Sequence, residues 1–109
     1  LDALGTEDLM PFEQPFPRSF TTSSVREHAP RRSGVFGISN SREWIYIGES
    51  DDIQETLLGL LLDPQAPLLR RRPTGFVFEV CDRNQRPARQ DRLVHEYEPT
   101  CNRYSWRPD

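Results

Sequence analysis

Residues 34–48 read Gly34-Val35-Phe36-Gly37-Ile38-Ser39-Asn40-Ser41-Arg42-Glu43-Trp44-Ile45-Tyr46-Ile47-Gly48. Two runs of β-branched and aromatic side chains flank a short polar break. Val35, Phe36 and Ile38 predict a strand over residues 33–39, and Trp44, Ile45, Tyr46 and Ile47 predict a second over 43–48. Asn40-Ser41-Arg42 is turn chemistry, because an asparagine side chain bonds backbone groups just ahead of it. The two runs therefore make a hairpin.

A helix follows the hairpin. Asp52 is placed as its N-cap, with Glu55 three residues on in capping-box spacing. Ile53, Leu57, Leu60 and Leu61 recur at helical intervals and define a buried face. Pro64 stops the helix. Arg70, Arg71, Arg72 and Pro73 form a basic connector to a third strand over 75–81, built on Phe76, Val77, Phe78 and Val80. Residues 82–87 read as a turn. A second helix spans 88–97, with Leu93, Val94 and Tyr97 inward and Pro99 beyond its end. The order β-β-α-β-α predicts a small α+β domain, with a three-stranded, mainly antiparallel sheet flanked by helices.

Upstream, residues 1–32 read as a Pro/Phe-rich arm, leaving 33–109 as the domain with a short C-terminal tail. Phe12, Phe16 and Phe20 stand four apart, as on a helix face, but Pro11, Pro15 and Pro17 forbid that helix. An extended or polyproline-like segment is expected, its phenylalanines either packed on the domain's own core or docked on a partner. Residues 21–24 and Pro30 mark loop. The tail carries Tyr104 and Trp106, which either pack or stack on bases.

With 109 residues the chain has room for one domain. The net charge of −3 gives no global basic field to gather a polyanion. All 14 basic residues are arginine. That reflects either the codon bias of a GC-rich genome or a preference for guanidinium forks toward phosphate. Cys81 and Cys101 show no metal spacing, so two free thiols in a reducing, cytoplasmic setting are expected. No apolar run is long enough to span a membrane.

Gly34-Val35-Phe36, then nine residues, then Tyr46-Ile47-Gly48, resembles the signature of the GIY-YIG nuclease family. The closing Leu93-Val94-x-x-Tyr97-x-Pro99-x-x-Asn102 pattern resembles it too, and the likeness covers about residues 33–102. It implies hydrolysis of a nucleic-acid phosphodiester. In that family one tyrosine acts on the attacking water, an arginine on the first helix stabilises the phosphoryl charge, and a glutamate on the last helix holds one divalent metal. The transition state is anionic, so such a site presents cations and a base.

Carried onto this chain, the set is incomplete. The first tyrosine falls at Phe36, which has no hydroxyl, whereas the second is kept as Tyr46. The arginine falls at Thr56 and the glutamate at Gln90. The late asparagine is kept as Asn102. A neutral amide is a far weaker ligand than carboxylate for Mg²⁺. Asp91 is adjacent to Gln90, but one helical step turns its side chain by about 100°. Losing one electrostatic group of the transition state costs roughly 10²–10³ in rate.

The resemblance with these replacements predicts a GIY-YIG-like domain that does not cut, holds no metal, and binds nucleic acid or a protein. The alternative is a divergent endonuclease dependent on Mg or Mn, using Tyr46 and Asp91. Glu49, Asp51, Asp52 and Glu55 border the inferred site and would repel a polyanion. Arg70, Arg71, Arg72, Arg89 and Arg92 are the candidates for nucleic-acid contact, with Arg83 and Arg86 extending the same face. Asp91 and His95, four apart, are either a surface pair or an acid–base relay.

Overall fold

The computed structural model describes residues 11–13 and 16–103. Among these residues the sheet has four strands, β1 (Arg18–Ser19), β2 (Gly34–Ser39), β3 (Trp44–Ser50) and β4 (Gly75–Val80), in the spatial order β1-β4-β2-β3. All described pairings are antiparallel. The expected hairpin is β2–β3, and β2 lies at the centre with all six residues buried. The fourth strand is an addition. Arg18 and Ser19 pair with Phe76 and Gly75, and two residues are too few to show an alternating pattern in sequence.

The helices are α1 (Thr22–His28), α2 (Ile53–Leu62), α3 (Arg86–Tyr97) and α4 (Thr100–Arg103). The expected capping of α2 is present: the Glu55 amide donates to Asp52 Oδ1 at 3.0 Å. α3 begins two residues before the expected start because Pro87 sits in its first turn, where the missing N–H costs nothing. A 3₁₀ turn, Pro67–Arg71, runs into the basic connector. The loop expected at residues 21–24 is instead the start of α1. Thr21 caps it by accepting from the Ser24 amide, and Val25 is its one buried anchor besides the cap region. A helix held by one apolar residue leaves no periodic signal.

The sheet has two packed faces. On one, α1, α2 and the 3₁₀ turn cover Phe36, Ile38, Ile45 and Phe76, with Phe20, Val25, Ile53, Leu57 and Leu68 filling the layer. On the other, α3 lays Leu93 over Val35, Ile47 and Val77. Each of these fully buried side chains contributes about 1.5–3 kcal/mol of apolar burial. A register shift between Ile38 and Ser39 pairs Ile38 with Tyr46 and Ser39 with Trp44. The extra residue, Ile45, thereby joins Tyr46 on the α2 side, as a bulge re-aims side chains.

The arm's phenylalanines divide. Phe12 and Phe20 are buried, whereas Phe16 is 85% exposed. Phe12 stacks on Trp44 and Tyr97, and its amide donates to Tyr97 Oη at 3.2 Å. Its ring lies so close over Gly37 that a Cβ there would stand 3.0 Å away. Among the described residues no helix is long and apolar enough to cross a membrane. Tyr104 and Trp106 lie outside the described residues.

Candidate functional site

Among the described residues β3 lies at an edge of the sheet, and an edge leaves alternate peptide groups without a neighbouring strand. Ile47 is one such position, and two of the resemblance residues meet there. The Ile47 amide donates to Asn102 Oδ1 at 2.8 Å, and Asn102 Nδ2 donates back to the Ile47 carbonyl at 3.0 Å. Gln90 Nε2 donates to the same carbonyl, also at 3.0 Å. The Asn102 amide thus pairs with Ile47 as the peptide of another strand would, and Gln90 takes the second lone pair of the oxygen. Three hydrogen bonds to one peptide pin α3 and α4 to the sheet edge.

Phe36 and Tyr46 face the opposite side of the sheet. Their ring centroids are 5.9 Å apart. Phe36 is 1% exposed, and its para carbon, where a tyrosine would carry its hydroxyl, points at Gly48: a Cβ on Gly48 would stand 2.7 Å from it and 2.9 Å from Tyr46 Cε2. Gly48 is therefore needed so that both rings can cross the strand. Tyr46 is half-buried and forms the wall of a largely apolar pocket of about 170 Å³, with Leu60, Ala66, Leu68 and Cys101. Burial pushes the Cys101 thiol pKa up. Thr56 is hydrogen-bonded to the Ser50 hydroxyl, which also accepts from the Asp52 amide.

Gln90 and Asn102 thus meet at the β3 edge while Tyr46 and Thr56 lie on the α2 side of the sheet, and the described donors do not suit a hard divalent cation. Such an ion takes anionic oxygens, whereas Gln90 turns an N–H toward the strand. Asp91 is exposed, as is His95. Among the described residues no three His, Cys, Asp or Glu side chains gather as a metal site.

The acids bordering the site are not bare. Arg86 donates to Glu49 Oε1 at 3.1 Å and to Asp51 Oδ1 at 2.6 Å. It also reaches the Ser33 hydroxyl. Its hydrogen bond holds the Asp51 carboxyl below the usual carboxylate range. Asp52 is lowered first by the Glu55 backbone amide that it caps and then by Arg31 at 2.9 Å. The repulsion expected of this cluster is therefore largely met within the protein, with Glu55 left on the exposed side of α2.

The arginines do not form one face. Arg89 makes a bidentate pair with Glu79, at 2.7 and 2.8 Å, and its Nη2 also donates to the Pro11 carbonyl. Arg92 lines the same shallow groove as Arg89. Arg83 and Arg86 lie with Asp51 at the end of the sheet where Gly34 pairs with both Ser50 and Val80. Arg70, Arg71 and Arg72 sit at the other end, before Gly75. Sequence proximity and composition could not separate the two groups, because β4 runs between them. Two residues the candidate set missed belong with the second group: Arg42 and Asn40. The asparagine before the turn was the available signal.

Comparison with solved structures matches the fold to the GIY-YIG N-terminal endonuclease domain of UvrC from Thermotoga maritima. Its magnesium-bound form aligns with a TM-score of 0.60 at 21% identity, covering 70% of this chain and 92% of that one. A tyrosine-to-phenylalanine variant bound to the catalytic divalent cation aligns with the same TM-score at 22% identity, covering 70% and 91%. No family model matches the chain, and no curated protein matches it. The likeness gives the fold: this is a GIY-YIG-like α+β domain.

Proposed function

We propose that this GIY-YIG-like domain does not hydrolyse phosphodiesters and acts by binding nucleic acid. The observation that carries the reading is the hydrogen bond from Gln90 Nε2 to the Ile47 carbonyl. At the position where the resemblance asks for a metal-holding carboxylate, the chain has an amide engaged in closing a sheet edge. Supporting it, Thr56 has a hydroxyl partnered with Ser50 in place of a guanidinium, and Phe36 is buried without a hydroxyl. Each replacement removes a group that an anionic transition state needs. Tyr46, Phe36, Thr56, Gln90 and Asn102 then serve the fold of the former site, and Arg70, Arg71 and Arg72 are the nucleic-acid contacts.

The rival reading is a divergent endonuclease using Mg or Mn. It retains Tyr46, and it would need Asp91 to turn in from its exposed position. A protein partner on the arm has less support, because Phe12 and Phe20 are spent on the domain's own core. Cys81 and Cys101 are both free thiols, which accords with a reducing, cytoplasmic setting.

The test is plasmid nicking with Mg²⁺ and Mn²⁺, beside Tyr46→Phe. No nicking by either protein is the expected outcome. Metal-dependent nicking that Tyr46→Phe abolishes would overturn the proposal and establish the divergent nuclease.

A further inference from the structure

Asn40 ties together two segments that are far apart in sequence. Its Oδ1 accepts from the amides of Arg42 and Glu43 at 2.8 and 2.9 Å, fixing the β2–β3 turn. Its Nδ2 donates to the Arg71 carbonyl at 2.7 Å, fixing the end of the 3₁₀ turn. Arg72 then adopts a left-handed conformation, with φ of 56°. The Thr74 amide rejoins the sheet at the Ser39 carbonyl. The result is an open polar pocket of about 440 Å³ lined by Asn40, Arg42, Glu43, Arg70, Arg71 and Arg72.

Its charge is one-sided: four guanidiniums surround one carboxylate. That carboxylate is engaged. Glu43 accepts from Thr100 Oγ1 at 2.7 Å and lies 3.7 Å from Arg71 Nη1. All four arginines are exposed. Among the described residues Arg42, Arg70 and Arg72 have no carboxylate within the 4.0 Å of an ion pair. Holding like charges together costs free energy unless an anion arrives, and guanidinium forks match phosphate oxygens.

We propose that this corner, with Arg42 as a member no sequence run reveals, is where the domain grips the phosphate backbone of a nucleic acid. The inference rests on the nucleic-acid reading above and names its surface. Among the described residues no aromatic ring lines the pocket, so it suits backbone phosphates and not stacked bases. The corner also adjoins the former site. Thr100, bonded to Glu43, begins α4, whose Cys101 lines the Tyr46 pocket and whose Asn102 clamps Ile47. A strand held at the corner would run toward Tyr46.

The experiment is fluorescence anisotropy with a labelled 20-base-pair DNA duplex, and an RNA duplex of the same sequence, over a salt series. The variants are Arg42→Ala/Arg70→Ala/Arg72→Ala, which spares the Arg71–Glu43 pair, and a charge-matched control, Arg26→Ala/Arg31→Ala/Arg32→Ala. The control residues are all exposed and lie outside the pocket. The corner variant is expected to lose at least tenfold in affinity and to flatten the log–log salt slope by about 3, with the control within about threefold of wild type. Circular dichroism checks folding. If wild type binds and both variants lose affinity equally, the corner assignment fails and the nucleic-acid reading stands. If wild type binds neither duplex, both fail.

Discussion

At the end of the sheet where Gly34, Ser50 and Val80 meet, Arg31, Arg83, Arg86 and Arg89 each lie against a carboxylate: Asp52, Asp51, Glu49 with Asp51, and Glu79. At the end where the β2–β3 turn meets the 3₁₀ turn, Arg42, Arg70, Arg71 and Arg72 share, among the described residues, only Glu43. Residue type is the same at both ends, so the partner decides the task. Where a guanidinium finds a carboxylate with low exposure, it fastens elements together; where it finds none, it remains available for an external anion. The first end joins α3 and the arm to the sheet. The second is a charged corner in which Arg71 alone pairs with Glu43 among the described residues.

The comparison breaks most readily at Arg89. Its side chain and that of Glu79 are 16% and 12% exposed, and removing one member of a buried pair strands the other charge. Arg89→Ala is expected to lower stability by about 3 kcal/mol in urea denaturation. Arg42→Ala or Arg70→Ala should stay within about 0.5 kcal/mol of wild type. Equal effects at the two ends would end the distinction between fastening and available arginines.

A somewhat smaller effect is expected at the sheet edge. Asn102→Ala leaves the Ile47 amide without its partner, at a cost of about 1–3 kcal/mol. Gln90→Glu replaces a donor with an acceptor facing the Ile47 carbonyl, and is expected to fall in the same range. A rise in stability on Gln90→Glu, by thermal denaturation with and without Mg²⁺, would contradict the structural role assigned to the amide.

The smallest effect expected is on acid stability. Asp51 and Asp52 have carboxyl pKa values held below their ordinary values, by the Arg86 hydrogen bond and the Glu55 amide respectively. A depressed folded-state pKa means that the unfolded chain takes up protons first as pH falls. Their contribution is therefore complete above the ordinary carboxylate pKa of about 3.9. It is lost progressively as pH falls below that value through the folded-state pKa. Asp51→Asn/Asp52→Asn should flatten the acid limb of stability against pH. An unchanged limb would show that these exposed pairs contribute nothing measurable.

The hairpin and the two longer helices were legible because each is long enough to repeat its apolar pattern. β2 and β3 carry runs of β-branched and aromatic residues, and α2 carries Ile53 and Leu57 with a capping aspartate. β1 and α1 were not, because two residues and one apolar anchor make no period. At the candidate site, the resemblance to the GIY-YIG signature singled out Phe36, Tyr46, Gln90 and Asn102 as candidate positions. It did not indicate that Gln90 and Asn102 converge on one peptide of an edge strand, since that depends on which strand lies outermost.

The sequence by itself determined the residue types available for chemistry: an amide at 90, a phenylalanine at 36, a threonine at 56, and arginine as the only cation. Covalent structure sets what a side chain can donate or accept, whatever the fold. Tertiary structure alone decided who meets whom. It split the arginines between the two ends of β4, gave Arg86 and Arg89 their acids, and brought Arg42 to Arg70–Arg72 through Asn40. Pairing energies depend on separation and burial, and both are properties of the folded chain.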